Sequence, residues 1–560
     1  MFKQFVGVVL MLSVTTTTMG QANYSEAIKA IEQVIEQELQ RGIIKGVSIA
    51  LVDDQTVVHA RGYGLAQIDP ARPASERTIY RVGSISKVLN ALAVAQLVDA
   101  GKLDLDAPIT KYDPSFHINS SFDDAGPITL RQLLCHRSGI VRESPVGSYF
   151  DPTEPSIAAA VASLAQCALV EPPNTRTRYS NIGPTVAGRV IEVVTGQPYN
   201  DYVKKALLEP MGMTTAQFSR PNSDAVATGY MAIAQPDGSF KFDQPAPTFE
   251  LATAPAGNLY ASALDLAQLA KLVFADGRID GKQVISSKML AEACSVQLTG
   301  EAVGFGLGFH VGTFADQRSL GHNGAVYGFS SAFIALPESK IAVIVLINED
   351  VASGPQNRLV HHALHQMLNV KTGRPIPQPA PTIALDERLA DAFVGEYESQ
   401  SYWASIQRDD QGQLHAIVSG QPFTLRPVDK LRFEADGRFA HAAPVEVVQD
   451  DQGNVIAFNA LGQRFNRVNP RTVQPLPAAW RKFLGVYGES FIPQIVRERN
   501  GHLYAMTENM YDYRMRPLNP TVFHMPPGLY AYEQTVFQLD EQGNVHGIIM
   551  SNVWMPRRDR

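Results

Sequence analysis

The sequence predicts an α+β fold: an antiparallel sheet flanked by helices and interrupted by a helical subdomain, followed by a mostly-β, barrel-like C-terminal domain. Three observations predict it. Hairpin-like and helix-like patterns stand at both ends of residues 24–370, which places two halves of one sheet on either side of a helical insertion. Residues 374–381 then carry Pro375, Pro377, Pro379 and Pro381, the alternation of a stiff extended linker. Beyond that break, strand-and-turn patterning dominates and repeats itself.

In chain order, residues 1–22 read as a secretory signal, with Lys3 as the charged start, an apolar run from Phe5 to Val14, and small or polar residues to Gly20. The run falls short of the roughly 20 apolar residues a spanning helix needs, so the expectation is a secreted or periplasmic protein with no integral membrane segment after cleavage. Helical spacing follows at Ala27–Leu39, and a hairpin at Val47–Val52 and Thr56–Tyr63. Residues 84–100 are strongly helical and end at Gly101, where a left-handed cap is wanted. Ser330–Leu336 and Ile341–Ile347 form a second hairpin through Pro337, Glu338, Ser339 and Lys340, and Leu359–Leu368 reads as a closing helix. These signals set a first domain at 23–373, a linker at 374–384 and a β domain at 385–560. In that β domain, Phe393-Val394-Gly395-Glu396-Tyr397 is echoed ninety residues later by Phe483-Leu484-Gly485-Val486-Tyr487, and Asp451-Gln452-Gly453-Asn454-Val455 by Glu541-Gln542-Gly543-Asn544-Val545. Two copies are too few for a solenoid, so a barrel or a paired sheet is expected.

Composition narrows the partners. Of 560 residues, 45% are apolar and 18% charged, a balance that buries large cores. The net charge of −7 is spread without a Lys/Arg block, which excludes the electrostatic footprint of a nucleic-acid binder. Cys135, Cys167 and Cys294 are too sparse for a disulfide scaffold, and at most one bridge could form. His361, His362 and His365 lack the intervening Glu of a zinc-peptidase helix, so they read as the end of a surface helix and no metal is expected. No G-x-S-x-G surrounds any serine.

Three segments carry chemistry. In Ser84-Ile85-Ser86-Lys87, a Ser and a Lys three apart at a helix start share a face, so a hydroxyl and an amine meet. The helix N-terminus favours developing negative charge, and burial of the Lys would leave neutral amine to take the proton. Tyr179-Ser180-Asn181 offers a phenol that could shuttle a proton as phenolate beside the Lys, and an amide that could hold a substrate carbonyl. Gly321-His322-Asn323-Gly324-Ala325 precedes the second hairpin; there the Ala325 N–H could join that of Ser84 as an oxyanion hole, with small Gly324 letting substrate lie along the strand. Lys371-Thr372-Gly373 also spells K-T-G, but it follows the closing helix and runs into the linker with no strand to carry it.

In this order and spacing, the three motifs resemble the serine β-lactamase and penicillin-binding protein superfamily, in its class C β-lactamase-like branch. The segment Ile128-Thr129-Leu130-Arg131-Gln132-Leu133-Leu134-Cys135-His136-Arg137-Ser138-Gly139-Ile140 is similar to that branch's I-T-x-x-x-L-L-x-H-x-S-G-[IL], and Pro255-Ala256-Gly257 and Gly304–Phe309 add to the likeness. The β domain resembles the lipocalin-like domains appended to some such hydrolases. The resemblance implies Ser84 as acylated nucleophile, Lys87 and Tyr179 as the proton-transfer pair, and Asn181, His322, Asn323, Gly324 and Ala325 as substrate-binding groups, with no cofactor. His322 stands where many members carry the Lys of K-T-G, which implies weaker recognition of a β-lactam carboxylate. The expected substrate is a small molecule or peptide with an amide or ester bond, directed toward D-amino acids or peptides. A true β-lactamase, a carboxylesterase and a slowly or never acylated binder of cell-wall fragments remain as alternatives.

Overall fold

A computed structural model describes residues 22–123, 125–298 and 300–558. The leader expected at residues 1–22 therefore lies, but for Ala22, outside the described residues. Eight antiparallel strands form the central sheet in the spatial order Gly304–Phe305, His310–Phe314, Gln317–Val326, Phe329–Leu336, Ile341–Ile347, Gly46–Asp53, Thr56–Gln67 and Arg72–Pro73. The two halves predicted from opposite ends of the domain meet where Val47–Asp53 pairs with Ile341–Ile347. Both faces of these middle strands are buried, which is why they read as unbroken apolar runs rather than alternating ones. Val47, Ile49, Leu51, Val343 and Val345 pack under the helices Ser25–Gln40 and Ser353–Thr372. Ala50, Val52, Ile344 and Leu346 face the other way, toward the helical insertion.

The helix Ser86–Asp99 is the spine of that insertion and is buried on nearly every side, as its Val, Leu and Ala content dictates. It stops as expected: Gly101 adopts φ +69°, its N–H donates to Val98 O, and the Lys102 N–H donates to Leu97 O. The helix Ile182–Thr195 packs alongside and ends in the same way at Gly196. The closing helix is longer than its apolar stripe, running over Ser353–Thr372. Residues 373–386 have no regular structure, yet they are held in place. Arg374 pairs with Asp316, and the Ile383 N–H donates to Pro427 O.

The β domain takes both of the forms expected for a doubled unit. Strands from Gly395–Glu398 to Gln463–Arg467 close into an eight-stranded barrel around Phe393, Tyr397, Phe458 and Phe465. The second copy does not close. It splits into a four-stranded sheet (Gly485–Tyr487 to Tyr511–Arg514) and a five-stranded sheet (Arg516–Pro517 to Val553–Pro556), bridged at Tyr487 and Arg557. Its interior is continuous with the core of the first domain. All three cysteines are buried and free, so the single bridge the count permitted does not form. No helix among the described residues is long and apolar enough to cross a membrane.

Candidate active site

Ser84 lies in the 3-10 turn Gly83–Ile85, which feeds straight into the helix Ser86–Asp99. Lys87 sits in the first turn of that helix, 1% exposed, and its Nζ lies 3.0 Å from Ser84 Oγ, 2.9 Å from Asn181 Oδ1 and 2.8 Å from Ala256 O. Burial first, and the Arg142 guanidinium second, push the Lys87 pKa well below that of an ordinary amine, while Glu143 opposes them. A neutral amine has two N–H groups and one lone pair. In that form, with Asn181 and Ala256 taking the two N–H groups, the lone pair would face the Ser84 hydroxyl and accept its proton.

Tyr179 closes this cluster, with Lys87 Nζ 4.9 Å from its ring centroid. Burial raises its hydroxyl to about 12, with Ser84 and Arg142 pulling the other way. The resting form is therefore the neutral phenol, so any shuttling through Tyr179 starts from the protonated hydroxyl. Asn181 lines one cavity with Ser84 and Tyr179 and is also tied into the protein. Its Oδ1 accepts from Lys87, and its Nδ2 donates to Glu143 Oε1 at 2.5 Å, so both ends of the amide are engaged within the protein.

The strand Gln317–Val326 brings the third motif alongside. His322, Asn323, Gly324 and Ala325 line the same cavity of about 690 Å³ as Ser84, Tyr179 and Asn181. The Gly83 backbone is so close to Ala325 that a Cβ at 83 would stand 2.9 Å from the Ala325 nitrogen. Glycine at 324 has an internal reason as well: a Cβ there would meet Val82 O at 2.1 Å and Ser331 Oγ at 2.4 Å, so packing against the nucleophile turn forbids a side chain. His322 Nδ1–H donates to Asn323 O at 2.5 Å; burial, reinforced by Lys87, lowers its pKa to about 3. The imidazole is neutral and offers no fixed cation. Lys371-Thr372-Gly373 is remote from this cavity, since Lys371 pairs with Asp53 at the end of the closing helix and Gly373 is its left-handed cap. His365 packs on Phe314 at a 4.6 Å centroid distance, and no group of three or more potential metal ligands occurs among the described residues.

Several residues at the site were not singled out by sequence reasoning. Arg142 lies 3.6 Å from Glu143 and 3.7 Å from Glu508, and Glu508 belongs to the second β unit. From the same unit, Met510, Gly528, Leu529, Ala531 and Tyr532 line the cavity. Glu533 Oε1 accepts the Arg142 backbone N–H at 3.1 Å and lies 4.0 Å from Arg178 Nη1. Arg142 and Glu143 come two residues after the His136–Ile140 segment, and no motif in the sequence singled them out. No signal in the sequence pointed to Glu508 or Glu533.

A sheet with helices on both faces and a Ser–Lys pair opening a buried helix is the arrangement of those serine hydrolases that carry Ser-x-x-Lys. Within that class, the family model described as Beta-lactamase matches residues 31–366, and the chain belongs to this family. Protein flp of Staphylococcus aureus (strain N315) is 27% identical over 349 residues, covering 62% of this chain and 68% of the relative. Penicillin-binding protein 4 of Amycolatopsis lactamdurans is 26% identical over 368 residues, 64% of this chain and 94% of its own length. Among solved structures, the octameric penicillin-binding protein homologue from Pyrococcus abyssi superposes with a TM-score of 0.56 at 25% identity, covering 78% of this chain and 99% of that one. The last match extends well beyond the family model and into the β domain.

Proposed function

We propose that the chain is an exported serine hydrolase that cleaves amide or ester bonds through a Ser84 acyl-enzyme, acting on peptides or D-amino-acid derivatives. The observation that carries this reading is the Lys87 amine, buried, depressed in pKa and 3.0 Å from Ser84 Oγ. In this reaction Ser84 Oγ attacks the substrate carbonyl while its proton passes to Lys87. The resulting oxyanion is held by the Ser84 and Ala325 N–H groups. Collapse breaks the scissile bond, and the leaving amine or alkoxide takes the proton from the Lys87 ammonium through the Tyr179 hydroxyl. A water then attacks the ester carbonyl, losing its proton along the same path, and Ser84 recovers its own. Asn181 and Glu143 orient Lys87 throughout. The neutral His322 favours a peptidase or esterase over a β-lactamase, because no fixed positive charge from this position meets a substrate carboxylate.

The test is labelling with a fluorophosphonate or a tagged penicillin, with the adduct placed by mass spectrometry. The expected result is a single adduct on Ser84, absent in Ser84→Ala, with turnover of p-nitrophenyl esters or D-amino-acid p-nitroanilides falling by about a thousandfold or more in that variant. Folded protein with an unlabelled Ser84 would sink the reading.

A further inference from the structure

His136 belongs to none of the three motifs, yet it touches the second of them on three sides. It is 1% exposed and holds a left-handed backbone, φ +60°, a conformation uncommon outside glycine and normally kept only where surrounding structure fixes it. That conformation lets one residue reach both sides of Tyr179 in sequence. Its carbonyl accepts the Arg178 N–H at 2.7 Å, and its ring Nδ1 accepts the Ser180 N–H at 3.3 Å. The ring itself lies against the Tyr179 ring at a centroid distance of 4.3 Å and an interplanar angle of 31°, with Phe305 edge-on at 4.8 Å. Burial and the neighbouring Lys87, His322 and Arg142 hold the imidazole well below its ordinary pKa, which keeps the Nδ1 lone pair that the Ser180 N–H needs.

We propose that His136 is a positioning residue that sets Tyr179 over Lys87, clamping the backbone before and after the tyrosine and backing its ring. Its aromatic contacts are with Tyr179 and Phe305, and it acts on the reaction through Tyr179. The inference rests on the reading of Tyr179 as a proton-transfer group. Two side chains separate its parts. Phenylalanine keeps a stacked ring and removes the acceptor for Ser180. Asparagine keeps an acceptor at the Nδ1 position and tolerates left-handed backbone, but loses the stack.

The experiment measures kcat and KM for p-nitrophenyl ester hydrolysis in His136→Phe and His136→Asn, each with Tyr179 and with Tyr179→Phe. We expect His136→Phe to lower kcat by about tenfold with KM within about twofold, and His136→Asn to retain about a third of the rate. In the Tyr179→Phe background both substitutions should cost nothing further, because the group they position is already gone. Losses that multiply in the double variants overturn the proposal, as does a change confined to KM. If His136→Phe does not fold, the His136→Asn cycle decides alone by the same criterion. A Tyr179→Phe enzyme at full rate would instead sink the reading of Tyr179, so the two failures are distinguishable.

Discussion

The two β units share a repeat and do different things. In both, a tyrosine hydroxyl donates to the carbonyl four residues earlier, Tyr397 to Phe393 and Tyr487 to Phe483, each at 2.7 Å. An arginine lies over each of these rings, Arg467 at 5.1 Å and Arg557 at 5.9 Å. Their turns match as well: Asn454 N–H donates to Asp450 Oδ1 and Asn544 N–H to Asp540 Oδ1, both at 2.8 Å. Yet the first unit closes into a barrel and docks behind the sheet. There Arg358 joins Glu38 to Asp436 at 2.6 Å each, and Arg438 meets Glu349 at 3.2 Å and the Asp350 carbonyl. The second stays open and sends Glu508, Leu529 and Tyr532 into the cleft. The repeat thus encodes hairpin chemistry, while each unit's place in the molecule comes from residues outside it.

The sharpest way to break this comparison is to cut one charged contact in each docking. Glu533→Ala removes the acceptor of the Arg142 backbone N–H beside the site, and should slow acylation of Ser84 by a tagged penicillin about tenfold. Arg438→Ala should leave that rate within about twofold, because its partners Glu349 and Asp350 stand outside the nucleophile's hydrogen-bond network. Equal losses would remove the functional distinction between the units.

A smaller effect lies in pH. Burial, opposed by Arg438, raises Glu349 to about 8 and Asp350 to about 7 in the folded protein, above their ordinary values of 4.5 and 3.8. The folded state then binds more protons than the unfolded one. Stability from these groups is greatest below pH 4 and is lost as pH rises toward 7–8, by up to about 1.4 kcal/mol per pH unit for each group. Thermal melts between pH 5 and 8 should show this decline superimposed on other groups, and Glu349→Gln should flatten it; an unchanged slope would contradict the assignment. The smallest effect belongs to the shared tyrosines. Tyr397→Phe and Tyr487→Phe should each cost about 1 kcal/mol in denaturant unfolding, by nearly equal amounts. A large inequality would mean that closure of the barrel changes the worth of the same bond.

Most of the framework was legible. The hairpins at 47–63 and 330–347 carried dense apolar runs, and Gly101 marked a helix end that its φ of +69° requires. Ser84 and Lys87 were legible because three residues on a helix fix their mutual direction whatever surrounds them. The engaged amide of Asn181 was not, since its partner Glu143 is 38 positions away. The internal reason for Gly324 was hidden too, because the clash is with Val82, far off in sequence.

By itself, then, the sequence determined what depends on near neighbours: strand and helix periods, caps, turns, the Ser–Lys spacing and the ninety-residue repeat. Tertiary structure alone decided which protonation states the site rests in and which β unit reaches it. Desolvation and charge pairing are summed over everything packed around a group, and that sum does not exist until distant segments such as residues 142, 508 and 533 are brought together.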